Sequence, residues 1–263
     1  MNVGEHNRTA WNRQALEGNR WTEPVGPEAV AAARRGAWEV ILTPNRPVPR
    51  EWFGKVRDRE ILCLASGGGQ QAPLLAAAGA RVTSFDLSEE QLARDRLVAE
   101  REGLELRCVQ GDMADLGLFR DETFDLVFNP VSTVFVPDVR PVWRECHRVI
   151  RAGGALLAGF MNPVFFLFDH DDAAERGVLE ARHRLPYSEA EPADLPPRRR
   201  KAVEEGEAME FSHSLDALLG GQLEAGFVLT GFYEDGWSDE ETPLNRLAPT
   251  FMATRAVKPG GRT

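Results

Sequence analysis

The sequence predicts an α/β protein whose centre is a mostly parallel, doubly wound sheet. Between about residues 57 and 160, short apolar runs alternate with segments of helical periodicity. Strands joined by helices pair in parallel, because each helical crossover returns the chain to the same end of the sheet. The first apolar run passes directly into Gly67, Gly68 and Gly69, a turn that lets the backbone approach a ligand closely. The 263 residues leave room for one such domain with additional segments.

Composition and charge exclude several classes of protein. The hydrophobic content of 43% and the charged content of 27% are ordinary for a globular domain. The net charge of −10 disfavours binding to nucleic acid or to an anionic membrane, since both reward clustered cations. The apolar runs are shorter than the ~18 residues of a membrane helix, and the polar N-terminus shows no signal peptide. Cys63, Cys108 and Cys146 lack metal-site spacing and are interpreted as reduced core residues of a cytoplasmic protein. No metal site is predicted, because the histidines form no i, i+4 pair.

Residues 1–56 precede the first predicted strand and form a tryptophan-rich N-terminal cap. The cap carries four of the six tryptophans, and three prolines between residues 44 and 49 exclude a long helix directly before the core. For Trp11 and Trp21, packing in the core is the preferred interpretation, and a lid over a ligand is the alternative. The predicted core spans residues 57–263.

The glycine turn and the next strand together predict a nucleoside-binding site. The turn leads into a helical segment over residues 74–78, behind Pro73, and a helix N-terminus offers free N–H groups to a ligand. Asp86 ends the second predicted strand, where its carboxylate can accept hydrogen bonds from both hydroxyls of a ribose. The series Gly67-x-Gly69-x-x-Ala72 also matches the dinucleotide pattern, so the glycines alone leave the nucleoside undecided.

The elements that follow identify the family that the chain resembles. Ser88 can cap a helix whose first turn carries Glu89 and Glu90. A third strand over residues 104–109 runs into Gly111-Asp112-Met113, and a fourth apolar run ends at Asn129-Pro130. A helix through residues 143–150 then leads by Gly153-Gly154 into a fifth strand, 155–160. In this order, the segments resemble the class I S-adenosylmethionine-dependent methyltransferases that act on small molecules, strongly over residues 57–160 and weakly over the last fifty.

The resemblance implies a Rossmann-like, doubly wound sheet of seven strands. Its strand order would be 3-2-1-4-5-7-6, mostly parallel with one antiparallel edge strand. The last two strands would form an antiparallel hairpin, for which residues 226–229 and 250–254 are the candidates. Leucines from Leu215 to Leu223 recur at helical spacing just before them.

The resemblance also implies how S-adenosylmethionine would be bound. The glycine turn would lie beneath the methionine part, Asp86 would hold the ribose, and Asp112 with the Met113 backbone would meet the adenine. Cys63 and Ala65 depart from the family pattern, which usually has an acid and a glycine there. Ser66, Gln70 or a backbone carbonyl must therefore hold the cofactor's amino group. The predicted cofactor-binding residues are Ser66, Gly67, Gly68, Gly69, Gln70, Asp86, Leu87, Gln91, Asp112, Met113, Asn129 and Pro130.

An insertion over residues 163–211 follows the fifth predicted strand. Its 49 residues exceed an ordinary connection of about 2–6 residues, and such long connections without regular structure are usually functional or disordered. We expect a mobile lid that acts with the cap and determines acceptor specificity. His170 and His213 flank the acceptor side of this segment and are the candidate general bases. The basic run over residues 198–201 is interpreted as a solvated loop.

These observations predict methyl transfer from S-adenosylmethionine to a small-molecule acceptor by in-line displacement at an O, N, S or C atom. One alternative is a protein that binds the cofactor without transferring the methyl. Another is an NAD-dependent dehydrogenase, which is disfavoured because no Tyr-x-x-x-Lys signature is present. Methylation of a nucleic-acid base or protein amide is also disfavoured, because Val131 and Ser132 replace the proline and aromatic residue that such enzymes have after Asn129-Pro130.

Overall fold

A computed structural model describes residues 2–169, 173, 175–191, 195–237 and 241–260. At its centre is a seven-stranded sheet in the order β3-β2-β1-β4-β5-β7-β6. The strands are β1 (Glu60–Leu64), β2 (Arg81–Asp86), β3 (Leu106–Gln110), β4 (Phe124–Asn129), β5 (Ile150–Met161), β6 (Val228–Asp235) and β7 (Phe251–Val257). Strands β1 to β5 pair in parallel, whereas β7 is antiparallel to both β5 and β6. The predicted fold class and strand order are therefore confirmed, with β7 as the antiparallel strand inside the edge strand β6.

Helices fill the connections and precede the sheet. They are α1 (Val3–Glu17), α2 (Pro27–Arg34), α3 (Arg50–Phe53), α4 (Gln71–Ala77), α5 (Glu89–Glu102), α6 (Arg140–Val149), α7 (Pro197–Glu204) and α8 (Gly221–Glu224), the last preceded by a π-helical turn over Asp216–Gly220. Ser88 caps α5 as predicted, because its Oγ accepts a hydrogen bond from Gln91 N at 3.2 Å.

Two boundaries differ from the sequence-based expectation. Helix α4 begins at Gln71 rather than behind Pro73. Proline is tolerated in the first turn of a helix, because the N–H group that it lacks would have no partner within the helix there. Strand β5 begins at Ile150 rather than 155, and its register against β4 shifts between Phe124 and Leu126. Gly153 has a φ of 80° within this irregular stretch, so the predicted glycine turn is a distortion inside the strand.

Hydrophobic layers cover both faces of the sheet, and the cap contributes to one of them. On that face Leu42 and Phe53 of the cap pack with residues of α2 and α4. On the other face α6 buries Trp143, whose Nε1 donates to Ala217 O at 3.1 Å. The cap backbone runs so close to β5 that a Cβ added to Gly159 would lie 2.1 Å from Leu42 O. The buried apolar side chains of residues 38–56 are thus packed on the face of the sheet that α2 and α4 cover.

The insertion has regular structure and a small core of its own. It opens with a 3₁₀ turn over Pro163–Leu167 and later contains α7. Leu195, Val203, Met209 and Phe211 form a separate buried cluster, to which Val3 of α1 adds. The expectation of a long connection without regular structure is wrong for the described part of this segment, because these apolar residues supply a core that ordinary loops lack.

Helix α1 joins the insertion to the sheet through one buried side chain. Asn7 is 1% exposed, and its Nδ2 donates to Phe135 O and Met209 O, both at 3.0 Å. Its Oδ1 accepts from Met209 N at 2.7 Å. The amide therefore satisfies three backbone groups in two segments, which fixes the end of the insertion beside the turn that carries Phe135.

Candidate functional site

A cavity of about 450 Å³ lies at the carboxyl ends of the central strands. The strand order reverses between β1 and β4, and ligands of open α/β sheets bind at such a reversal. We call this cavity the chamber. The predicted cofactor residues that line it are Ser66, Gly67, Gln70, Asp86, Leu87, Gln91, Asp112, Met113 and Pro130.

Gly68, Gly69 and Asn129 do not line the chamber but support it from behind. Gly68 N donates to Gln91 O at 2.9 Å, and Gly69 N donates to Asp95 Oδ1 at 2.8 Å. A Cβ on Gly68 would lie 2.6 Å from Trp21 O, so this glycine makes room for the cap. Asn129 is fully buried and donates from Nδ2 to Leu64 O at 2.9 Å, which ties the end of β4 to β1.

Asp86 faces the chamber at the tip of β2. Its Oδ2 accepts from Gly67 N at 3.0 Å, and its Oδ1 accepts from Ser88 N at 2.9 Å. Burial raises the pKa of the Asp86 carboxyl to about 6, although the backbone N–H groups of Ser88, Gly67 and Leu87 act in the opposite direction. A carboxylate oxygen accepts more than one hydrogen bond, so both oxygens can also accept from ligand hydroxyls.

Asp95 holds the glycine turn from the core, a role that the sequence interpretation missed. It is fully buried on α5, where its Oδ2 accepts from Ser84 Oγ at 2.5 Å and its Oδ1 takes the Gly69 N–H. Burial raises the pKa of this carboxyl to about 7. The helical spacing indicates this burial, because Asp95 falls three residues after Leu92 and three before Val98. It therefore lies on the buried face of α5.

Replacing Asp95 by asparagine should change how the stability of the fold depends on pH. The native carboxyl, with its pKa near 7, binds a proton that the unfolded chain, with a value near 3.8, releases. The free energy of unfolding of the wild type should therefore fall as pH rises from about 4 to 7. The side-chain amide of Asp95→Asn can still accept from Gly69 N and donate to Ser84, without this titration.

Urea unfolding at several pH values tests this prediction. The difference in stability between Asp95→Asn and the wild type should shift in favour of the variant up to about pH 7 and then level off. Asp86 contributes with the same sign in both proteins, so the difference between them reports Asp95 together with its electrostatic coupling to Asp86. A difference that stays constant with pH would contradict the assigned titration.

Two of the predicted cofactor residues in the chamber wall each carry a buried polar atom that has no hydrogen-bond partner within the described part of the chain. These atoms are Ser66 Oγ and Gln91 Oε1. Buried polar atoms of native proteins are nearly always paired, so unpaired atoms on residues that line a cavity indicate a polar ligand close by. Gln70, by contrast, has hydrogen-bond partners in the cap. Its Nε2 donates to Arg20 O at 2.9 Å and to Glu23 O at 3.1 Å.

Cys63 does not replace the acid that the family usually has at its position. The thiol is fully buried in β1 and does not line the chamber. Burial raises its pKa well above the ordinary value, so it is a neutral packing group.

Aromatic side chains line the part of the chamber near α1 and the insertion. Trp11 and Phe135 meet edge to face, with ring centroids 5.0 Å apart, and Trp237 meets Phe251 at 4.8 Å. Trp21 packs against Trp237 at 6.0 Å. The preferred interpretation of Trp11 and Trp21 as core residues is wrong, because both are only partly buried and line the chamber.

A polar cluster completes the wall, formed by Arg199, Glu207 and Glu210. Arg199 holds Glu189 with a two-point contact, from Nε to Oε1 at 2.6 Å and from Nη2 to Oε2 at 2.8 Å. Its Nη1 also donates to Glu207 Oε2 at 2.8 Å. The interpretation of residues 198–201 as a solvated loop is wrong for Arg199, since it lies on α7 and shares a face with the buried Val203, four residues on.

Of the two candidate histidine bases, His213 belongs to the described residues, and it is not part of the chamber wall. Its side chain is buried, and its Nε2 lies 2.9 Å from Thr133 O. Burial lowers the pKa of its imidazole. His170 lies outside the described residues. No histidine occurs among the described residues that line the chamber.

Over the described ranges, no three metal-binding side chains are grouped so that they could hold an ion. In the same part of the chain, no helix has the length and hydropathy needed to cross a bilayer.

Comparisons with known proteins agree with the fold. The family described as "Methyltransferase domain" matches residues 62–158. A Bacillus subtilis (strain 168) protein named "Uncharacterized methyltransferase YbaJ" is 47% identical over 254 residues, which cover 96% of this chain and 97% of that protein. The similarity therefore extends through the cap and the insertion as well as the sheet.

Solved structures show the same architecture at lower identity. An S-adenosylmethionine-dependent methyltransferase from Mesorhizobium loti matches with a TM-score of 0.60 and 19% identity, over 79% of this chain and 94% of that one. A Burkholderia thailandensis 1,6-didemethyltoxoflavin-N1-methyltransferase, solved with 1,6-didemethyltoxoflavin and S-adenosylhomocysteine, matches with a TM-score of 0.57 and 15% identity. That match covers 97% of this chain and 88% of that one. At these identities the likeness is one of fold.

Proposed function

Because the chain belongs to the class I S-adenosylmethionine-dependent methyltransferases, we propose that it methylates a small organic molecule held in the chamber beside the cofactor. One observation carries the proposal. A single cavity joins Asp86 and the unpaired Ser66 and Gln91 atoms to a second region walled by Trp11, Phe135 and other aromatic rings. A nucleoside and a second, largely apolar molecule can therefore lie side by side.

The first region suits the cofactor. Asp86 would accept hydrogen bonds from the ribose hydroxyls, and Leu87 and Met113 would flank the adenine. Ser66 Oγ and Gln91 Oε1 would gain partners in the amino-acid part, where the family acid is replaced by Cys63. When bound, the cofactor supplies an activated methyl group, so the protein's work is to position the acceptor and exclude water.

The second region suits the acceptor. Aromatic faces attract a sulfonium charge and pack against flat apolar molecules. Helix α1 and the insertion meet over this region through Asn7 and Met209, and both supply wall residues. We therefore propose that residues 163–211 act as a lid together with the cap, and that they determine which acceptor is methylated.

Calorimetry on the full chain tests the proposal. S-adenosylmethionine and S-adenosylhomocysteine should bind with dissociation constants in the micromolar range, and NAD should bind much more weakly. The reason is that Asp86, Ser66 and Gln91 line a space that continues into a region walled by aromatic rings, which suits a flat acceptor beside a single nucleoside. Tighter binding of NAD, or no binding of S-adenosylhomocysteine, would contradict the proposal.

A further inference from the structure

Glu210 is the carboxylate of the polar wall that remains available to a ligand. Glu189 accepts from Arg199, from Tyr187 Oη at 2.7 Å and from Glu210 N at 2.8 Å, and Glu207 accepts from Arg199. Glu210 lines the chamber, yet no group of the described residues donates a hydrogen bond to its carboxylate. Its oxygens are therefore open to a donor inside the chamber.

The neighbours of Glu210 place it beside the aromatic wall. Met209 is fixed by Asn7, which also holds Phe135 O, and Phe211 N donates to Val134 O at 2.8 Å. The residues on both sides of Glu210 are thus tied to the turn that carries Phe135, whose ring meets Trp11. A flat acceptor packed against these rings would lie next to the Glu210 carboxylate.

The charges around Glu210 favour a carboxyl that gains and loses a proton near neutrality. Among the residues that the structure describes, the ionisable groups that act on it are Arg199, Glu189, Glu207 and Tyr187. Arg199 is already engaged by Glu189, Glu207 and Ala208 O, so the cluster has more carboxylates than cations. Burial raises the pKa of Glu210 to about 7, Arg199 opposes this, and Glu189 and Glu207 add to it. A general base works best with a pKa near the working pH.

We propose that Glu210 is the catalytic base, and that the acceptor carries a weakly acidic O–H or N–H on a flat, apolar ring. Glu210 Oε takes the proton of that O–H or N–H while the acceptor atom uses an electron pair to bond to the methyl carbon. The bond from that carbon to sulfur breaks, and its electron pair stays on sulfur. The neutral Glu210 carboxyl then returns the proton to water when the product leaves. This inference rests on the proposed function.

Binding of a named probe tests Glu210 without requiring turnover. With S-adenosylhomocysteine present, calorimetry would follow 2-naphthol, a flat ring with one weakly acidic O–H, at about pH 5.5 and pH 8. A hydrogen bond to an ionised carboxylate is stronger than one to a neutral carboxyl, so the wild type should bind roughly five- to tenfold tighter at the higher pH. Glu210→Gln should show nearly equal binding at both pH values. 2-Methoxynaphthalene, which has no O–H, should show no pH effect in either protein.

A matched control variant, and binding of S-adenosylhomocysteine alone, distinguish failure of the Glu210 inference from failure of the proposed function. Glu205→Gln removes a nearby exposed carboxylate that pairs with Lys201 and does not line the chamber, so it should keep the pH effect of the wild type. The inference is overturned if Glu210→Gln keeps the pH effect. It is also overturned if 2-naphthol fails to bind to wild type that does bind S-adenosylhomocysteine. Failure of S-adenosylhomocysteine to bind would instead overturn the proposed function.

Discussion

Asp86→Ala is expected to weaken binding of S-adenosylmethionine by roughly ten- to a hundredfold. A charged acceptor of hydrogen bonds from the ribose hydroxyls contributes about 1.5–3 kcal/mol. The same carboxylate also holds Gly67 N and Ser88 N, so its removal loosens the glycine turn in addition. Calorimetry at about pH 8 measures the loss, and the unfolding transition shows whether the fold persists.

A matched exposed aspartate and the pH dependence make this prediction specific. Asp115 also accepts a backbone N–H, from Gly117 at 2.9 Å, but does not line the chamber, so Asp115→Ala should bind the cofactor like the wild type. Wild-type affinity should fall below about pH 6, because protonation removes the charged acceptor, and Asp86→Ala should lack this fall. Unchanged affinity in Asp86→Ala would show that the ribose lies elsewhere.

Of the substitutions proposed, Arg199→Met is expected to lower the free energy of unfolding most. Glu189 is 1% exposed at its side chain, and Arg199 is the cation that pairs with it. Removing one partner of a buried ion pair typically costs about 3–5 kcal/mol, because the remaining charge stays buried. Arg199 also holds Glu207 and faces Glu210, so three carboxylates would lose their shared cation. Urea unfolding should show the loss, and lowering the pH through about 7 should reduce it as the Glu210 carboxyl is protonated.

Hydrogen exchange then tests whether the insertion behaves as a lid. In Arg199→Met, exchange should increase over residues 187–211, while affinity for S-adenosylhomocysteine should stay within a few-fold of the wild type. Arg198→Met is the matched control, since Arg198 is the neighbouring arginine on α7 and its side chain is 61% exposed. If Arg199→Met lost affinity for S-adenosylhomocysteine as well as protection of the insertion, the insertion would not be a lid that is separate from the cofactor site.

Much of the sheet, and the part of the chamber wall around Asp86, could be predicted from the sequence. Strand periodicity, the Gly67 turn and the Asp86 position are local signals, because each depends on residues close together in the chain. The supporting role of Gly68 and Gly69 was not visible in this way. It depends on the approach of Trp21 and Pro24, more than forty residues earlier in the chain.

The polar wall of the chamber, with Arg199 and Glu210, could not be predicted from local pattern. Arg199 stands in a run of four basic residues, and only the fold shows that it turns inward to Glu189 while Arg198 and Lys201 remain exposed. Glu210 has no motif around it and reaches the chamber through the Asn7 contact with Met209. Two flanking histidines were the natural candidates for a base, because imidazole titrates near neutrality in water, whereas a carboxylate does so only after burial.

A crystal structure of the full chain with S-adenosylhomocysteine and 2-naphthol would decide whether the chamber holds a cofactor and an acceptor side by side. We expect the ribose hydroxyls on Asp86, the amino-acid part within hydrogen-bond distance of Ser66 or Gln91, and the naphthol ring against Trp11 and Phe135 with its oxygen on Glu210. A nucleoside bound away from Asp86, or a naphthol bound outside the chamber, would contradict this arrangement.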